Sequence, residues 1–286
     1  MSYKILDGKF VAEQVKNSLK GRIDSMLSRG ITPGLGVILV GERKDSQTYV
    51  RMKQRNCSKL GINSYRVDLP DCVSEEKLME EVISMNKNKD IHGILIQLPL
   101  PKHINANRIL DLVDESKDVD GFGVGNVGRL TLNRDRNFVP CTPDGCMRLL
   151  DYYDISVRGK VAVILGCSNI VGLPLSLMLL HRRATPIICN SRTPDVKSLV
   201  QKADLLFTCC GQTQMIKNDW VKEGVVIVDI GINSVEDASR KRGYRLVGDV
   251  DFENVKEKCS WITPVPGGVG PMTIAMLMEH TVKACE

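Results

Sequence analysis

The chain has 286 residues, which at about 150 residues per domain predicts two domains. Hydrophobic residues make up 43% and charged residues 26% of the chain, a globular composition that excludes a largely disordered protein. Because the net charge is only +5 and aromatic residues are 5%, nucleic acid is not expected as a partner.

The ten cysteines and four histidines do not predict a metal site. No two cysteines have the C-x-x-C spacing of a zinc or thioredoxin site, and no histidine stands at ligand spacing from a cysteine. The first ten residues lack the apolar core of a secretory signal peptide. We therefore expect reduced cysteines, no bound metal and a cytoplasmic location.

The predicted elements of the first half alternate between helix and strand. Apolar residues recur every four positions over 11–27 and stop before Gly30, which indicates an amphipathic helix. A second helix is expected to begin at Asp45 or Ser46 and to end at Leu60. Strands are predicted at 34–41, 64–67 and 93–101, with a third helix around 78–85. This alternation favours βαβ units and a parallel sheet.

The second half begins after a candidate linker at 118–137. Thr142-Pro143 is a typical helix start, because proline suits the first helical position. Strands are predicted at 160–165, 186–190, 204–211 and 225–231, and helices at 171–181, after Thr193-Pro194 and at 271–284. The uncharged run 161–180 is as long as a membrane span, but glycines and a proline interrupt its middle. We therefore expect no membrane helix.

The segment GCSNIVG at 166–172 follows an apolar strand and precedes a helix. Such a turn can point backbone N–H groups and a positive helix end at a pyrophosphate. The usual fingerprint has glycine at its first, third and sixth positions, where this segment has Gly166, Ser168 and Val171, with Gly172 one residue later. The strand–turn–helix context favours nucleotide binding, and a turn that serves only packing is the alternative.

The next strand ends in Asn190-Ser191-Arg192-Thr193, without the acidic residue that binds the ribose 2′-hydroxyl of NAD. A carboxylate would repel a 2′-phosphate, whereas a hydroxyl and a guanidinium can bind one. The segment therefore favours NADP, with NAD still possible. The alternative for Arg192 is a solvated surface side chain.

Tyr49 and Lys53 are four residues apart and share one helix face. A lysine among apolar neighbours loses part of its preference for the charged form, which suits acid–base chemistry near neutral pH; a solvated lysine is the alternative. Gln97 lies at the carboxyl end of a buried strand, where ligands bind in open α/β sheets. Asp120 and the turn Pro266–Pro271 are expected near the same strand ends.

Segments spanning nearly the whole chain resemble the bifunctional methylenetetrahydrofolate dehydrogenase/cyclohydrolase family, often called FolD. They stand in the family's order: SQTYVRMK (46–53), GILIQLPLP (93–101), KDVDGF (117–122), PCTPDG (140–145), GCSNIVGLP (166–174), NSRT (190–193), VDIGIN (228–233), GDVDF (248–252) and TPVPGGVGPMT (263–273).

The resemblance implies two α/β domains flanking a cleft, the second of them a Rossmann-like doubly wound parallel sheet. Residues 1–119 plus 271–286 would form the folate-binding catalytic domain and residues 120–270 the NAD(P)-binding domain. Helices near 143–153 and 271–284 would join the domains. Family members are generally homodimers through the nucleotide domain, and their reactions belong to one-carbon metabolism and purine biosynthesis.

The implied chemistry is oxidation of 5,10-methylenetetrahydrofolate to the 5,10-methenyl form with NADP, followed by hydrolysis to 10-formyltetrahydrofolate. By the resemblance, Lys53 is the essential catalytic residue of the cyclohydrolase step, and Gln97 hydrogen-bonds it and tunes its protonation. Tyr49 would stack on the folate, and Asp120 would anchor the pterin. The other implied folate contacts are Leu98, Pro99, Pro266, Gly267, Gly268 and Val269. The implied cofactor contacts are Gly166, Cys167, Ser168, Ile170, Val171, Gly172, Ser191, Arg192, Thr193, Cys210, Gly211 and Ile232.

Three positions depart from the family pattern. Cys167 stands where the family usually has an arginine that helps to hold the 2′-phosphate, Asn190 where it commonly has histidine, and Thr213 where it usually has proline. The folate-side residues match without change. Cys167 and Asn190 make a cyclohydrolase with weak or absent dehydrogenase activity the first alternative. A folate-binding protein without turnover and an unrelated shikimate-type dehydrogenase are the other two.

Overall fold

The computed structural model describes residues 3–135, 138–240 and 243–286, which divide into two compact units. The three-stranded unit comprises residues 13–141 and 274–286, and the six-stranded unit comprises the chain up to residue 12 together with 142–273. These boundaries differ from the expected 119/120 and 270/271. Residues after 119 stay with the three-stranded unit because Asp118 holds their backbone, and the N-terminal residues pair with a strand of the other unit.

The sheet of the six-stranded unit is parallel throughout its described strands. Its spatial order is β1-β11-β8-β7-β5-β6. The strands are β1 (Lys4–Ile5), β5 (Val161–Leu165), β6 (Thr185–Cys189), β7 (Leu205–Thr208), β8 (Val225–Asp229) and β11 (Cys259–Ile262). Since β6 lies on one side of β5 and β7 on the other, the strand order reverses beside β5. Ligands of doubly wound sheets bind outside the carboxyl ends of the strands at such a reversal.

The three-stranded unit contains a smaller parallel sheet, ordered β3-β2-β4. Its strands are β2 (Gly34–Val40), β3 (Asn63–Leu69) and β4 (Gly93–Ile96). All residues of β2 and β4 are buried, which explains their continuous apolar sequences. The parallel α/β architecture predicted from the sequence is thus confirmed.

Seven of the ten described helices lie close to their predicted positions, and the short helices at 106–110, 124–131 and 252–255 were not predicted. The helix bounds are α1 Gly8–Leu27, α2 Lys44–Leu60, α3 Glu75–Lys87, α4 Ala106–Leu110, α5 Val124–Thr131, α6 Cys141–Tyr152, α7 Gly172–His181, α8 Val196–Val200, α9 Phe252–Val255 and α10 Val269–Cys285. Gly61 ends α2 in the left-handed conformation, as its position after Leu60 predicted.

Several local predictions were wrong. α2 begins at Lys44, and neither Asp45 nor Ser46 caps it. β4 stops at Ile96, well short of residue 101. The candidate linker contains α5, because buried Asn126 anchors this helix to the carboxylate of Asp118. Residues 136 and 137 of that linker lie outside the described residues. The antiparallel hairpin of β9 (Asn233–Glu236) and β10 (Tyr244–Val247) was not predicted.

Candidate functional site

In the three-stranded unit, Lys53 and Gln97 meet through their side chains. The Lys53 Nζ donates a hydrogen bond of 3.1 Å to the Gln97 Oε1. The Gln97 side-chain nitrogen donates in turn to the carbonyl of Leu98 at 2.8 Å, so the amide oxygen faces the lysine. Gln97 directly follows β4, and its backbone N–H pairs with Ile38 of β2. The amide is therefore anchored to the sheet as well as to the loop.

The electrostatic environment of Lys53 favours loss of its proton. Protein atoms packed around the amine desolvate it and lower the pKa of Lys53, while the nearby Asp120 carboxylate opposes this shift. Burial raises the pKa of Asp120, and the lysine charge opposes that shift in turn. Burial also raises the pKa of Tyr49, one turn before Lys53, so its phenol stays neutral. The amine and the carboxyl are thus each moved toward neutrality.

Asp118 holds the turn that carries Asp120. Its buried carboxylate accepts hydrogen bonds from the backbone N–H groups of Gly121 (3.1 Å), Phe122 (3.2 Å) and Gly123 (2.8 Å), and from the Asn126 side chain (2.8 Å). Burial raises the pKa of Asp118 to about 6. Asp118 was not predicted to have a role, although it lies in the motif KDVDGF.

His280 on α10 is a second residue of this region for which no role was predicted. Its Nδ1 lies 2.9 Å from the Val119 carbonyl and 3.5 Å from the Cys141 Sγ. Burial raises the pKa of the Asp120 carboxyl, and Cys141 and His280 both partly oppose that rise. No sequence signal identified His280, because its partners are more than 130 residues away along the chain.

In the six-stranded unit, the turn 166–172 follows β5 at the reversal of strand order. Gly166 has a φ of +121°, and a Cβ there would lie 2.5 Å from the Cys209 carbonyl oxygen. A Cβ on Gly172 would lie 2.0 Å from the Gly166 carbonyl oxygen. These two glycines therefore let the turn close tightly against β7 and the start of α7.

The backbone donors of this turn are available to a ligand. The N–H groups of residues 167–170 have no hydrogen-bond partner among the described residues. The N–H of Val171 is satisfied within the turn by the Ser168 hydroxyl at 3.2 Å. Unpaired N–H groups just before a helix N-terminus make a site suited to an anion.

The segment 190–193 lies at the end of β6, beside the glycine turn. The Asn190 side-chain oxygen accepts the Arg192 N–H at 2.8 Å, and the Thr193 hydroxyl accepts the Asn190 N–H at 2.9 Å. Ser191 and Arg192 are exposed. The turn thus binds itself through Asn190 and Thr193 and exposes a hydroxyl and a guanidinium to solvent.

The other predicted cofactor residues follow β7 and β8. Cys210 and Gly211 donate their backbone N–H groups to the Asp249 carboxylate at 2.8 and 3.1 Å. Ile232, three residues after the end of β8, is 43% exposed. The carboxylate that organises this loop was not identified from the sequence.

The predicted folate residues divide between the two units. Tyr49, Lys53, Gln97, Leu98, Pro99 and Asp120 belong to the three-stranded unit, and Pro266, Gly267, Gly268 and Val269 to the six-stranded unit. The start of α1 packs on the latter loop, since the Lys9 N–H donates to the Gly267 carbonyl at 2.9 Å and a Cβ on Gly8 would lie 1.8 Å from the Gly268 oxygen.

Within the described parts of the chain, no cluster of three or more histidine, cysteine, aspartate or glutamate residues could hold a metal ion. Over the same residues, every helix is too short or too polar to cross a membrane.

Comparison with known proteins identifies the family. Residues 6–120 match the model of the tetrahydrofolate dehydrogenase/cyclohydrolase catalytic domain, and residues 140–286 match the model of the NAD(P)-binding domain of the same family. The chain is 48% identical over 285 residues to Bifunctional protein FolD 2 of Arabidopsis thaliana. The alignment covers 99% of this chain and 95% of that protein.

Solved structures agree with this match. The bifunctional FolD of Campylobacter jejuni superposes with a TM-score of 0.95 at 46% identity, covering 99% of both chains. The Trypanosoma brucei FolD, crystallised with NADP and an inhibitor, gives a TM-score of 0.96 at 38% identity, covering 100% of this chain and 98% of that one. The chain therefore belongs to the tetrahydrofolate dehydrogenase/cyclohydrolase family.

Proposed function

We propose that this protein oxidises 5,10-methylenetetrahydrofolate to 5,10-methenyltetrahydrofolate with NADP and hydrolyses that product to 10-formyltetrahydrofolate. The observation that carries the proposal is the Lys53 amine, which is desolvated, held by the Gln97 oxygen and electrostatically coupled to Asp120. Membership of the family supports the pair of reactions.

NADP fits the edge of the six-stranded sheet. The N–H groups of residues 167–170 would bind the pyrophosphate at the helix N-terminus. Ser191 and Arg192 would bind the 2′-phosphate, since the strand end has no carboxylate to repel it. Cys167 brings no positive charge to this turn, so the guanidinium of Arg192 would carry the charge recognition. When bound, NADP would supply the hydride acceptor for oxidation of the folate's bridging carbon.

For hydrolysis, Lys53 would transfer the protons. As a neutral amine it takes a proton from the water that attacks the methenyl carbon of the cation. The resulting ammonium then returns a proton to N5 as the bond between that carbon and N5 breaks. The hydroxyl formed from the water loses its own proton to solvent and becomes the oxygen of the formyl group on N10, so that the reaction releases one proton overall. The lowered pKa of Lys53 increases the fraction of neutral amine that can accept this proton.

The folate would be held around this amine. The neutral Tyr49 ring would stack on the substrate, and the Asp120 carboxylate would accept hydrogen bonds from the pterin donors. Leu98 and Pro99 would contact it from the loop after β4, and Pro266, Gly267, Gly268 and Val269 from the loop before α10 and its first residue. The dehydrogenase step then needs no acid or base of its own, because bringing the two carbons together is most of the catalysis.

The test measures both reactions on one preparation. NADP reduction is followed with methylenetetrahydrofolate, and loss of absorbance is followed with methenyltetrahydrofolate. The proposal expects turnover in both assays. Hydrolysis without reduction of NADP or NAD would favour a cyclohydrolase without dehydrogenase activity. The sequence feature behind that alternative is Cys167 in the phosphate-binding turn. Binding without turnover would contradict an enzymatic function.

We also propose that the protein is a cytoplasmic homodimer that serves purine biosynthesis, on the strength of the family resemblance. Light scattering coupled to gel filtration tests the dimer, which should have twice the 31.7 kDa mass of the chain. A peak at the mass of the single chain at micromolar concentration would contradict it.

A further inference from the structure

Two buried aspartates in the six-stranded unit lie where neither the proposed chemistry nor the pyrophosphate contacts use them. We infer that Asp249 is a positioning residue that fixes the loops after β7 and β8 in the conformation that binds the dinucleotide. Asp229 assists it by accepting a hydrogen bond from the Asp249 backbone N–H. The inference rests on the proposed NADP site and adds to it the residues that shape one of its walls.

Asp249 is fully buried and acts as the common acceptor for two segments. Its Oδ2 accepts the backbone N–H groups of Cys210 (2.8 Å) and Gly211 (3.1 Å) and the Cys210 thiol (3.4 Å). Its Oδ1 accepts the Asn233 side-chain amide at 2.9 Å. One carboxylate thereby ties the loop after β7 to the first residue of β9.

Asp229, at the end of β8, supports Asp249 in the same way. Its Oδ1 accepts the N–H groups of Asp249 and Gly231, each at 3.1 Å, and the Thr208 hydroxyl at 2.9 Å. Its Oδ2 accepts the Val250 N–H at 2.9 Å. The ends of β7 and β8 and the segment after β10 are therefore joined through two carboxylates.

Close packing leaves these carboxylates little room to move. A Cβ on Gly231 would lie 2.3 Å from the Asp249 carboxyl carbon, and a Cβ on Gly248 would lie 1.8 Å from the Asp229 Oδ2. Each carboxylate thus packs directly against glycine backbone. A side chain at either glycine would therefore displace the carboxylate that packs against it.

The arrangement also determines what the loops offer a ligand. Because the N–H groups of Cys210, Gly211 and Gly231 are directed to carboxylates, they are not available to phosphate oxygens. The pyrophosphate would therefore depend on residues 167–170, while the loop after β8 contributes the exposed apolar side chain of Ile232. Asp249 would act on the ligand only through the backbone that it holds.

The experiment compares NADP binding, by calorimetry, in the wild type and in Asp249→Ala. We expect the variant to bind NADP at least about tenfold more weakly, the loss that follows from about 1.4 kcal/mol. Hydrolysis of methenyltetrahydrofolate, which needs Lys53 in the other unit, should stay within about twofold, a change below 0.5 kcal/mol.

The matched control is Asp204→Ala. Asp204 lies at the opposite end of β7, where it accepts the Val161 N–H at 2.8 Å and pairs with Lys222, so its loss also removes a carboxylate that holds this sheet. NADP affinity should be unchanged in this control. Asp249→Asn keeps an oxygen that accepts from the Cys210 and Gly211 N–H groups. If the Asn233 amide rotates by 180°, its oxygen accepts from the new amide nitrogen. This variant should therefore retain most of the NADP affinity.

Wild-type NADP affinity in Asp249→Ala, or an equal loss in Asp204→Ala, would overturn the positioning role while leaving the proposed function standing. Failure of the wild type itself to bind NADP would overturn the proposed function and this role together. Should Asp249→Ala not fold, a wild-type-like affinity in Asp249→Asn and a loss in Asn233→Leu would support the role, and unchanged affinity in Asn233→Leu would contradict it.

Discussion

The region around Lys53 and the glycine turn 166–172 use different chemical groups. The first depends on titratable side chains that burial moves toward neutrality, namely Lys53, Asp120 and Asp118. The second depends on unpaired backbone N–H groups and on glycines that let the chain close tightly. Proton transfer needs groups whose charge can change, whereas holding an anion needs fixed dipoles. Substitutions in the two regions should therefore separate hydrolysis from cofactor binding.

The largest expected effect is that of Lys53→Met on hydrolysis. Methionine fills a similar volume but transfers no proton, so methenyltetrahydrofolate hydrolysis should fall on the order of 1,000-fold. NADP binding should be unchanged because the glycine turn is untouched. The control is Lys59→Met, an exposed lysine on the same helix, which should keep the wild-type rate. Residual hydrolysis above a tenth of the wild-type rate in Lys53→Met would contradict the assignment.

The reciprocal change is Gly172→Ala. Its Cβ would meet the Gly166 carbonyl oxygen at 2.0 Å, so the turn must shift. We expect overpacking to cost about 1–3 kcal/mol and NADP affinity to fall roughly 10- to 100-fold, with hydrolysis retained. Gly128→Ala on α5, where a Cβ meets no atom within 4 Å, is the control and should stabilise its helix by up to about 1 kcal/mol. Equal NADP affinity in both variants would contradict the role of the turn.

A smaller effect is the pH dependence of stability that the buried carboxyl group of Asp118 should cause. The pKa of Asp118 is about 6 in the folded protein, above its usual 3.8, so folding favours the protonated form. The stabilising contribution is complete below about pH 3.8 and is lost as the pH rises through 6.

The free energy of unfolding of the wild type, relative to Asp118→Asn, should therefore fall by roughly 2 kcal/mol between pH 4.5 and pH 7.5. Urea unfolding of the two proteins at both pH values measures this difference, and subtraction removes the contribution of Asp229, which has a similar pKa. A difference that increases with pH would show that burial does not dominate at Asp118.

The smallest expected effect concerns cofactor choice. Arg192→Ala should raise the KM for NADP about tenfold and leave that for NAD unchanged, because a charge-assisted contact to the 2′-phosphate is removed. Arg158→Ala, an exposed arginine just before β5 at the other end of the sheet, serves as control. Equal changes in the two KM values would show that Arg192 does not read the 2′-phosphate.

The sequence predicted most of what local patterns specify. The spacing of Tyr49 and Lys53, the buried strand that leads to Gln97, and the strand–turn–helix around Gly166 all follow from periodicity and glycine chemistry. The roles of Asp118, Asp229 and Asp249 could not be predicted in this way. Their carboxylates accept backbone N–H groups that are brought close by folding, and the partners of Asp249 are up to 39 residues away in the chain.

The pairing of β1 with β11 could not be predicted from the sequence for the same reason. Two residues near the N-terminus show no usable periodicity, and their partner strand lies more than 250 residues later. The domain boundary shifts with this pairing and with the contacts of Asp118. Long-range hydrogen bonds, which leave no mark in a short window of sequence, account for both differences.

The central claim is that the Lys53 amine sheds its proton more readily than an ordinary lysine. A titration of isotope-labelled lysine side chains by NMR, with Lys53 assigned from the signal missing in Lys53→Met, measures this directly. The account predicts a Lys53 pKa below those of the solvent-exposed lysines, and a rise of that pKa in Gln97→Glu, where a carboxylate replaces the amide at 3.1 Å. A Lys53 pKa at or above those of the exposed lysines would contradict it.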